Sequence, residues 1–135
     1  QGVSSAASDV YKRQTLWLIM FSHGVFSHEM TPTYPKWSYA YMDDLLVTRM
    51  QIFNKRNDVE YYEIGVFDKD WRPIPFVSQY TILNIKYLER AEVDVYIRES
   101  DKYNAEYICS RSKMRNEDLK SSSISSKICS RFKHE

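Results

Sequence analysis

The chain has 135 residues, of which 43% are hydrophobic, and a formal net charge of +1. A chain of this length holds one domain with a modest core, and 11 Tyr against 3 Gly argue against intrinsic disorder. The near-neutral charge and the lack of a recognised motif exclude a typical nucleic-acid-binding protein. The charge is nevertheless uneven, because residues 107–135 carry 7 basic and 3 acidic side chains, whereas residues 43–106 carry 9 and 13.

The first 14 residues are predicted to be foreign to the protein. Residues Ser4 to Gln14, SSAASDVYKRQ, match the in-frame translation of a transposase sequencing-library adaptor residue for residue. We therefore treat residues 1–14 as an adaptor-derived artefact and leave them out of the fold prediction.

Residues 15–27 are predicted to be a truncated signal peptide. The run from Leu16 to Ser27, LWLIMFSHGVFS, is too short to cross a bilayer as a helix and ends in the small residues that signal peptidase requires. The sequence thus predicts export to the periplasm or the cell exterior, with residues 28–135 as a single domain. The alternative is a translation start at Met30, which would leave a cytoplasmic protein. No later segment could span a membrane.

The predicted elements open with a weak strand from Thr31 to Tyr39 and a clear one from Leu45 to Phe53. After a polar turn, a third follows from Val59 to Phe67, and we predict that the second and third strands form a hairpin. Both alternate in polarity with period two, which is typical of half-buried strands. The side chains predicted to face inward are Leu46, Thr48, Met50 and Ile52 on one strand, and Tyr62, Ile64 and Val66 on the other.

The stretch DKDWRPIP, residues 68–75, is predicted to be a turn, because its two prolines cannot donate ladder hydrogen bonds. Two alternating strands follow, from Thr81 to Tyr87 and from Glu92 to Arg98. Their predicted inward side chains are Leu83, Ile85, Val93, Val95 and Ile97. Strands from Ala105 to Ser112 and from Ser123 to Phe132 close the chain, with at most one helical turn between them. About seven short strands in about 100 residues predict an all-β, two-sheet antiparallel sandwich.

A family resemblance adds to this pattern. Ala105, Tyr107 and Cys109 reproduce the A-x-Y-x-C run of immunoglobulin-like domains, which makes Tyr107 the candidate for a tyrosine corner. The layout from the TPT at Thr31, through YEIGVFD, to LERAEVDVYI resembles the N-terminal domain of periplasmic pilus-assembly chaperones. The resemblance implies an immunoglobulin-like sandwich that lends a strand to a pilus subunit while basic residues hold the subunit's terminal carboxylate. Lys127 is the candidate for that contact.

The tetrapeptide ICSR occurs twice, at Ile108 to Arg111 and at Ile128 to Arg131. In an antiparallel hairpin centred on Leu119, Cys109 would lie opposite Cys129, within the range of separations that a disulfide can bridge. We expect this disulfide in an exported protein, and two buried free thiols in a cytosolic one. Two cysteines without neighbouring histidines do not make a zinc site.

The inventory of catalytic side chains is thin. His23 and His28 lie in or beside the predicted signal peptide and His134 is next to the end, so we expect no histidine in the folded body to act as a base. Asp68 and Asp70 lack the donor spacing of a calcium loop. We therefore expect no catalytic residue, metal or cofactor.

The function that the sequence favours is a non-enzymatic, exported binding module. Its partner would be a protein, either an extended peptide or a pilus-type subunit, that pairs with an exposed strand edge. The alternative is a structural or adhesive surface domain, including one of phage origin, with the same sandwich and no client. An enzyme working through carboxylates alone would need two converging acids in a pocket.

Overall fold

The computed structural model describes residues 27–114 and 124–134. The predicted adaptor, nearly all of the predicted signal peptide and the predicted helical turn between the last two strands lie outside these ranges. Within them, the regular structure is β-sheet apart from one short 3₁₀ turn, Glu99–Asp101. No helix in this part of the chain is long and apolar enough to cross a membrane.

The described residues form two antiparallel sheets, which confirms the predicted all-β sandwich. The first sheet has the order β1-β3-β7-β5, with β2 also paired to β3, and the second has the order β6-β4-β8-β9. The strands are β1 (Glu29–Thr31), β2 (Ser38–Tyr39), β3 (Leu45–Phe53), β4 (Tyr61–Phe67), β5 (Val77–Ser78), β6 (Ile82–Asn84), β7 (Arg90–Arg98), β8 (Tyr107–Lys113) and β9 (Lys127–Arg131).

The core lies between the two sheets and is built from the side chains that the alternation predicts. On β7, Val93, Val95 and Ile97 are buried, whereas their neighbours in the strand are half-buried or exposed. The inward sets predicted on β3, β4 and the β6 region are buried as well. One-sided burial explains the period of two, because successive side chains of a strand point to opposite faces.

The predicted hairpin between β3 and β4 is wrong. These strands belong to different sheets, since β3 pairs with β1, β2 and β7 while β4 pairs with β6 and β8. The polar stretch 54–58 is therefore a crossover from one sheet to the other. Its first residue, Asn54, is fully buried rather than solvated.

Asn54 holds this crossover in place through four hydrogen bonds. Its amide nitrogen donates to the carbonyl oxygens of Val59 (2.7 Å) and Ile85 (2.8 Å). Its amide oxygen accepts from the backbone N–H of Arg56 (2.9 Å) and from the Tyr62 hydroxyl (2.5 Å). Burial raises the pKa of Tyr62 to about 12, so the hydroxyl remains a donor. Buried polar groups are tolerated in a core when they are satisfied in this way.

Two prolines account for another difference from the predicted elements. The weak strand expected from Thr31 to Tyr39 is split into β1 and β2, with Pro32 and Pro35 between them.

The predicted turn at residues 68–75 is present, and its Asp68 carboxylate accepts the backbone N–H groups of Asp70 and Arg72, both at 2.8 Å. The Asp68 carboxylate thus closes an Asx turn, to which Asp70 contributes its backbone N–H.

Candidate functional site

The feature that stands out as a binding surface is the free side of β9. Its five residues make it the longest strand at a sheet edge, compared with three in β1 and β6 and two in β2 and β5. One side of β9 pairs with β8. No strand of residues 27–114 and 124–134 pairs with its other side.

The hydrogen-bond pattern shows which backbone groups of β9 are open. Ser112 N–H donates to the Ser126 carbonyl at 2.8 Å, and Phe132 N–H donates to the Glu106 carbonyl at 2.9 Å. Because bonded and non-bonded pairs alternate in an antiparallel ladder, Ile128 and Ser130 direct their backbone groups toward β8. The N–H and C=O groups of the other three residues, Lys127, Cys129 and Arg131, point away from β8 and form the edge.

A disulfide links this edge to β8. Cys109 and Cys129 are register partners with a Cα–Cα distance of 4.1 Å and an S–S bond of 2.07 Å. The pairing agrees with the hairpin register predicted from the repeated ICSR. Both cysteines lie on the outer face of the second sheet, where Cys109 is nevertheless only 2% exposed. The bridge holds β9 to its neighbour without using the backbone groups of its free side.

Lys127 lies on the same outer face, over aromatic rings. Its Nζ atom is 4.6 Å from the centre of the Phe67 ring and 4.9 Å from that of Trp71. The Phe67 ring can lie there because its neighbour is Gly65, where an added Cβ would meet the ring at 2.8 Å. A cation over a ring face is attracted by the ring's quadrupole, so these contacts anchor the start of β9.

Tyr107, the tyrosine-corner candidate, also faces outward. The strand alternation that buries Ile108 puts Tyr107 on the opposite face, where its ring stacks on Trp71 at 4.3 Å with an interplanar angle of 5°. Among the hydrogen bonds of the described residues, the Tyr107 hydroxyl makes none to the backbone. Its role in this part of the chain is to support Trp71.

Arg111 is the register partner of Lys127 on β8. Both line a cavity of about 220 Å³ whose wall includes Gly65 and Phe67. The nearby carboxylate of Glu63, which also lines it, is paired with Lys113 at 2.6 Å. Two cations from neighbouring strands therefore lie side by side at the beginning of β9, and one of them, Lys127, is the predicted carboxylate contact.

A second charged group lies at the other end of β9, and residue patterns did not single it out. The Glu106 carboxylate accepts from Arg131 Nε at 2.6 Å and contacts His134 Nε2 at 3.2 Å. The hydrogen bond from Arg131 lowers the pKa of Glu106. A cavity of about 420 Å³ lies here, lined also by Tyr34 and Lys133. The excess of basic residues toward the C-terminal end was the only sequence signal for this group.

His28, which the sequence places beside the predicted signal peptide, is packed inside the folded body. His28 is 1% exposed, and its Nε2 and Nδ1 atoms lie 2.8 Å and 3.1 Å from the hydroxyls of Ser110 and Ser126. Its ring also contacts that of Tyr62, with the centroids 4.6 Å apart. A serine beside a histidine is the arrangement of nucleophilic catalysis. Here Ser110 is 0% exposed, so a substrate cannot reach it and the pair serves to join β8 to the segment preceding β9.

We expect stability to fall as the pH drops below about 6.5, the ordinary pKa of histidine. Burial lowers the pKa of His28, a backbone hydrogen bond with Ser110 opposes this, and the charge of Arg56 lowers the pKa further. The unfolded chain therefore binds the proton more readily, and the stability present above the unfolded pKa is lost toward acid. Binding of one proton can lower the free energy of unfolding by at most about 1.4 kcal/mol per pH unit.

Urea unfolding at about pH 7.5 and about pH 5.5 measures this effect. His28→Gln should remove most of the difference between the two pH values, and His134→Gln, at an exposed position, should retain it. The same pH dependence in wild type and His28→Gln would contradict the assignment.

The comparisons with known proteins bear on the fold. No protein-family model matches the sequence, and no curated protein matches it. Among solved structures, the E. coli chaperone DraB is similar at 13% identity and a TM-score of 0.58, with 79% of this chain and 53% of DraB covered. The periplasmic chaperone SfaE matches at 10% identity and a TM-score of 0.48, with 78% of this chain and 56% of SfaE covered. The chain thus spans about half the length of these proteins, and its likeness to DraB supports an immunoglobulin-like β-sandwich fold.

Proposed function

We propose that this protein is a non-enzymatic, exported binding module of the pilus-chaperone type, which engages an extended segment of a protein partner along the free side of β9. The observation that supports this proposal is the row of open backbone groups on Lys127, Cys129 and Arg131. Main-chain hydrogen bonds to such a row supply affinity in β-augmentation. The fold likeness to the chaperone DraB and a disulfide typical of exported proteins point the same way.

Within this function, Lys127 is the proposed contact for the terminal carboxylate of the partner. Its side chain is exposed, and its ammonium group carries three N–H donors. The contact with the ring faces leaves these donors available to a carboxylate. Arg111, across the strand pair, adds a second positive charge. Lys133, beyond the other end of β9, is the matched cation with which Lys127 can be compared.

A proline on the free side of β9 tests the proposed function. The probe is a nine-residue peptide with valine at even positions and threonine at odd positions, with a free C-terminal carboxylate. Arg131→Pro removes an N–H that points away from β8, so the fold should tolerate it, whereas the peptide loses a hydrogen bond and meets the proline ring. We expect binding to weaken about tenfold.

Arg131→Ala is the matched control, because it removes the same side chain and keeps the N–H. In a second arm, Lys127→Ala should weaken the free-acid peptide but not its amidated form, and Lys133→Ala should affect neither. Equal binding by Arg131→Pro and Arg131→Ala would remove the edge-binding function and favour a structural or adhesive domain without a client.

A further inference from the structure

The charges beside the free edge of β9 are unevenly compensated. Four basic side chains lie on the outer faces of β8 and β9, and these strands carry no acid there; the four are Arg111, Lys113, Lys127 and Arg131. Two of them have carboxylate partners, since Lys113 pairs with Glu63 and Arg131 with Glu106, both at 2.6 Å. Within the described residues, Arg111 and Lys127 form no ion pair.

These two cations occupy one row across the sheet. Arg111 and Lys127 are directly opposite in the β8–β9 register, whereas the row at the other end pairs Tyr107 with Arg131. Between them lies the disulfide, which carries no charge. The positive potential along the edge is therefore concentrated at the first residue of β9.

A strand added to this edge would continue the same rows. Its backbone would lie about 4.8 Å from β9, and the residue bonded opposite Lys127 would place its side chain on the same outer face. Opposite charges at such positions stabilise a pair of strands, and like charges destabilise it. A residue opposite Arg131 would meet a charge already neutralised by Glu106, whose side chain is only 15% exposed.

We infer that the partner strand carries one acidic side chain, placed opposite Lys127, and an uncharged residue opposite Arg131. This inference rests on the proposed function, because it specifies the strand that the β9 edge accepts. It differs from the terminal-carboxylate contact in the source of the negative charge, which here is a glutamate or aspartate within the strand. The long Arg111 side chain, one strand further in, adds to the attraction.

Three peptides with both ends blocked test this inference without a terminal carboxylate. Each has the alternating valine and threonine pattern of nine residues, with glutamate, glutamine or lysine at the central position. Because the pattern is uniform, the peptide can shift its register along β9. Its central residue can therefore lie opposite Lys127 in a parallel or an antiparallel arrangement. We expect the glutamate peptide to bind about two- to fivefold more tightly than the glutamine peptide, with the lysine peptide weakest.

Charge reversal at the protein supplies the decisive comparison. Lys127→Glu should invert the order, so that the lysine peptide binds best. Lys86→Glu changes the net charge equally from an exposed loop beyond the opposite edge strand, β6, and should leave the order unchanged. General loss of folding in Lys127→Glu would weaken the binding of all three peptides together, so it cannot explain an inverted order of affinities.

The peptide affinities separate charge selection at Lys127 from binding along the β9 edge. Equal affinity of the three peptides for wild type, with Arg131→Pro still weakening all of them, would overturn the charge selection and leave the edge function standing. A preference for glutamate that persists in Lys127→Glu would also overturn it. No binding of any peptide to wild type would contradict both proposals.

Discussion

Asn54→Ala should lower the free energy of unfolding by about 3–5 kcal/mol, the largest effect expected of a single substitution outside the apolar core. Alanine leaves the carbonyl groups of Val59 and Ile85 without their donor, and it leaves the Tyr62 hydroxyl without its acceptor. Each buried group left unsatisfied destabilises by about 1–3 kcal/mol. The crossover between the two sheets would lose its principal hydrogen bonds.

Chemical unfolding of Asn54→Ala and Asn84→Ala makes the comparison. Asn84 lies on β6, is exposed, and its amide donates one long hydrogen bond, 3.4 Å, to the Tyr61 hydroxyl. Its replacement should change stability by well under about 1 kcal/mol. Similar losses for the two variants would show that Asn54 does not hold the crossover.

The second large effect is expected from the disulfide. Cys109→Ser and Cys129→Ser should each lower the stability of the oxidised protein by about 3 kcal/mol, because the bridge closes a loop with a sequence separation of 20 residues. Either substitution breaks the same bond, so the two variants should have similar melting temperatures. Thermal unfolding with and without a thiol reductant measures the effect.

Reduction of the wild-type protein provides the internal control. It should lower the melting temperature to about that of the serine variants, which the reductant should leave unchanged. Clearly unequal melting temperatures of the two serine variants would contradict a stabilising bridge between β8 and β9. A wild-type melting temperature that reduction leaves unchanged would also contradict it.

The inward faces of the strands were predicted well, because burial of one face makes apolar and polar residues alternate along the sequence. On β3, Leu46, Met50 and Ile52 alternate with more exposed residues, and each is at most 1% exposed. Such alternation depends only on neighbours along one strand. The repeated ICSR likewise predicted the register of β8 and β9, since two equal segments around one turn are enough to align a hairpin.

Pairing between distant strands leaves no such trace, and this explains the wrong hairpin. A polar segment of five residues is typical of a tight turn, but Asn54 is buried by contacts with Val59, Tyr62 and Ile85 that form only in the folded sandwich. His28 is a similar case. Its position beside an apolar run gave no sign that its ring is buried, because its partners Ser110 and Ser126 come from much later in the chain.

The candidate site was predictable only in outline. That Lys127 belongs to the last strand followed from the alternating pattern, but its rings, Phe67 and Trp71, come from a strand and a turn whose approach to β9 no local pattern records. The same holds for Glu106, whose role depends on where β8 begins relative to the end of β9. Edges of sheets are properties of topology rather than of composition.

Hydrogen exchange of the backbone amides of β9 shows whether the free side of this strand is open. The amides of Lys127, Cys129 and Arg131 should exchange much faster than those of Ile128 and Ser130, which donate to β8. An alternating valine and threonine peptide should slow the exchange of the first three selectively. Slow exchange of all five amides in the free protein, or no change on adding the peptide, would contradict an open strand edge that binds a partner.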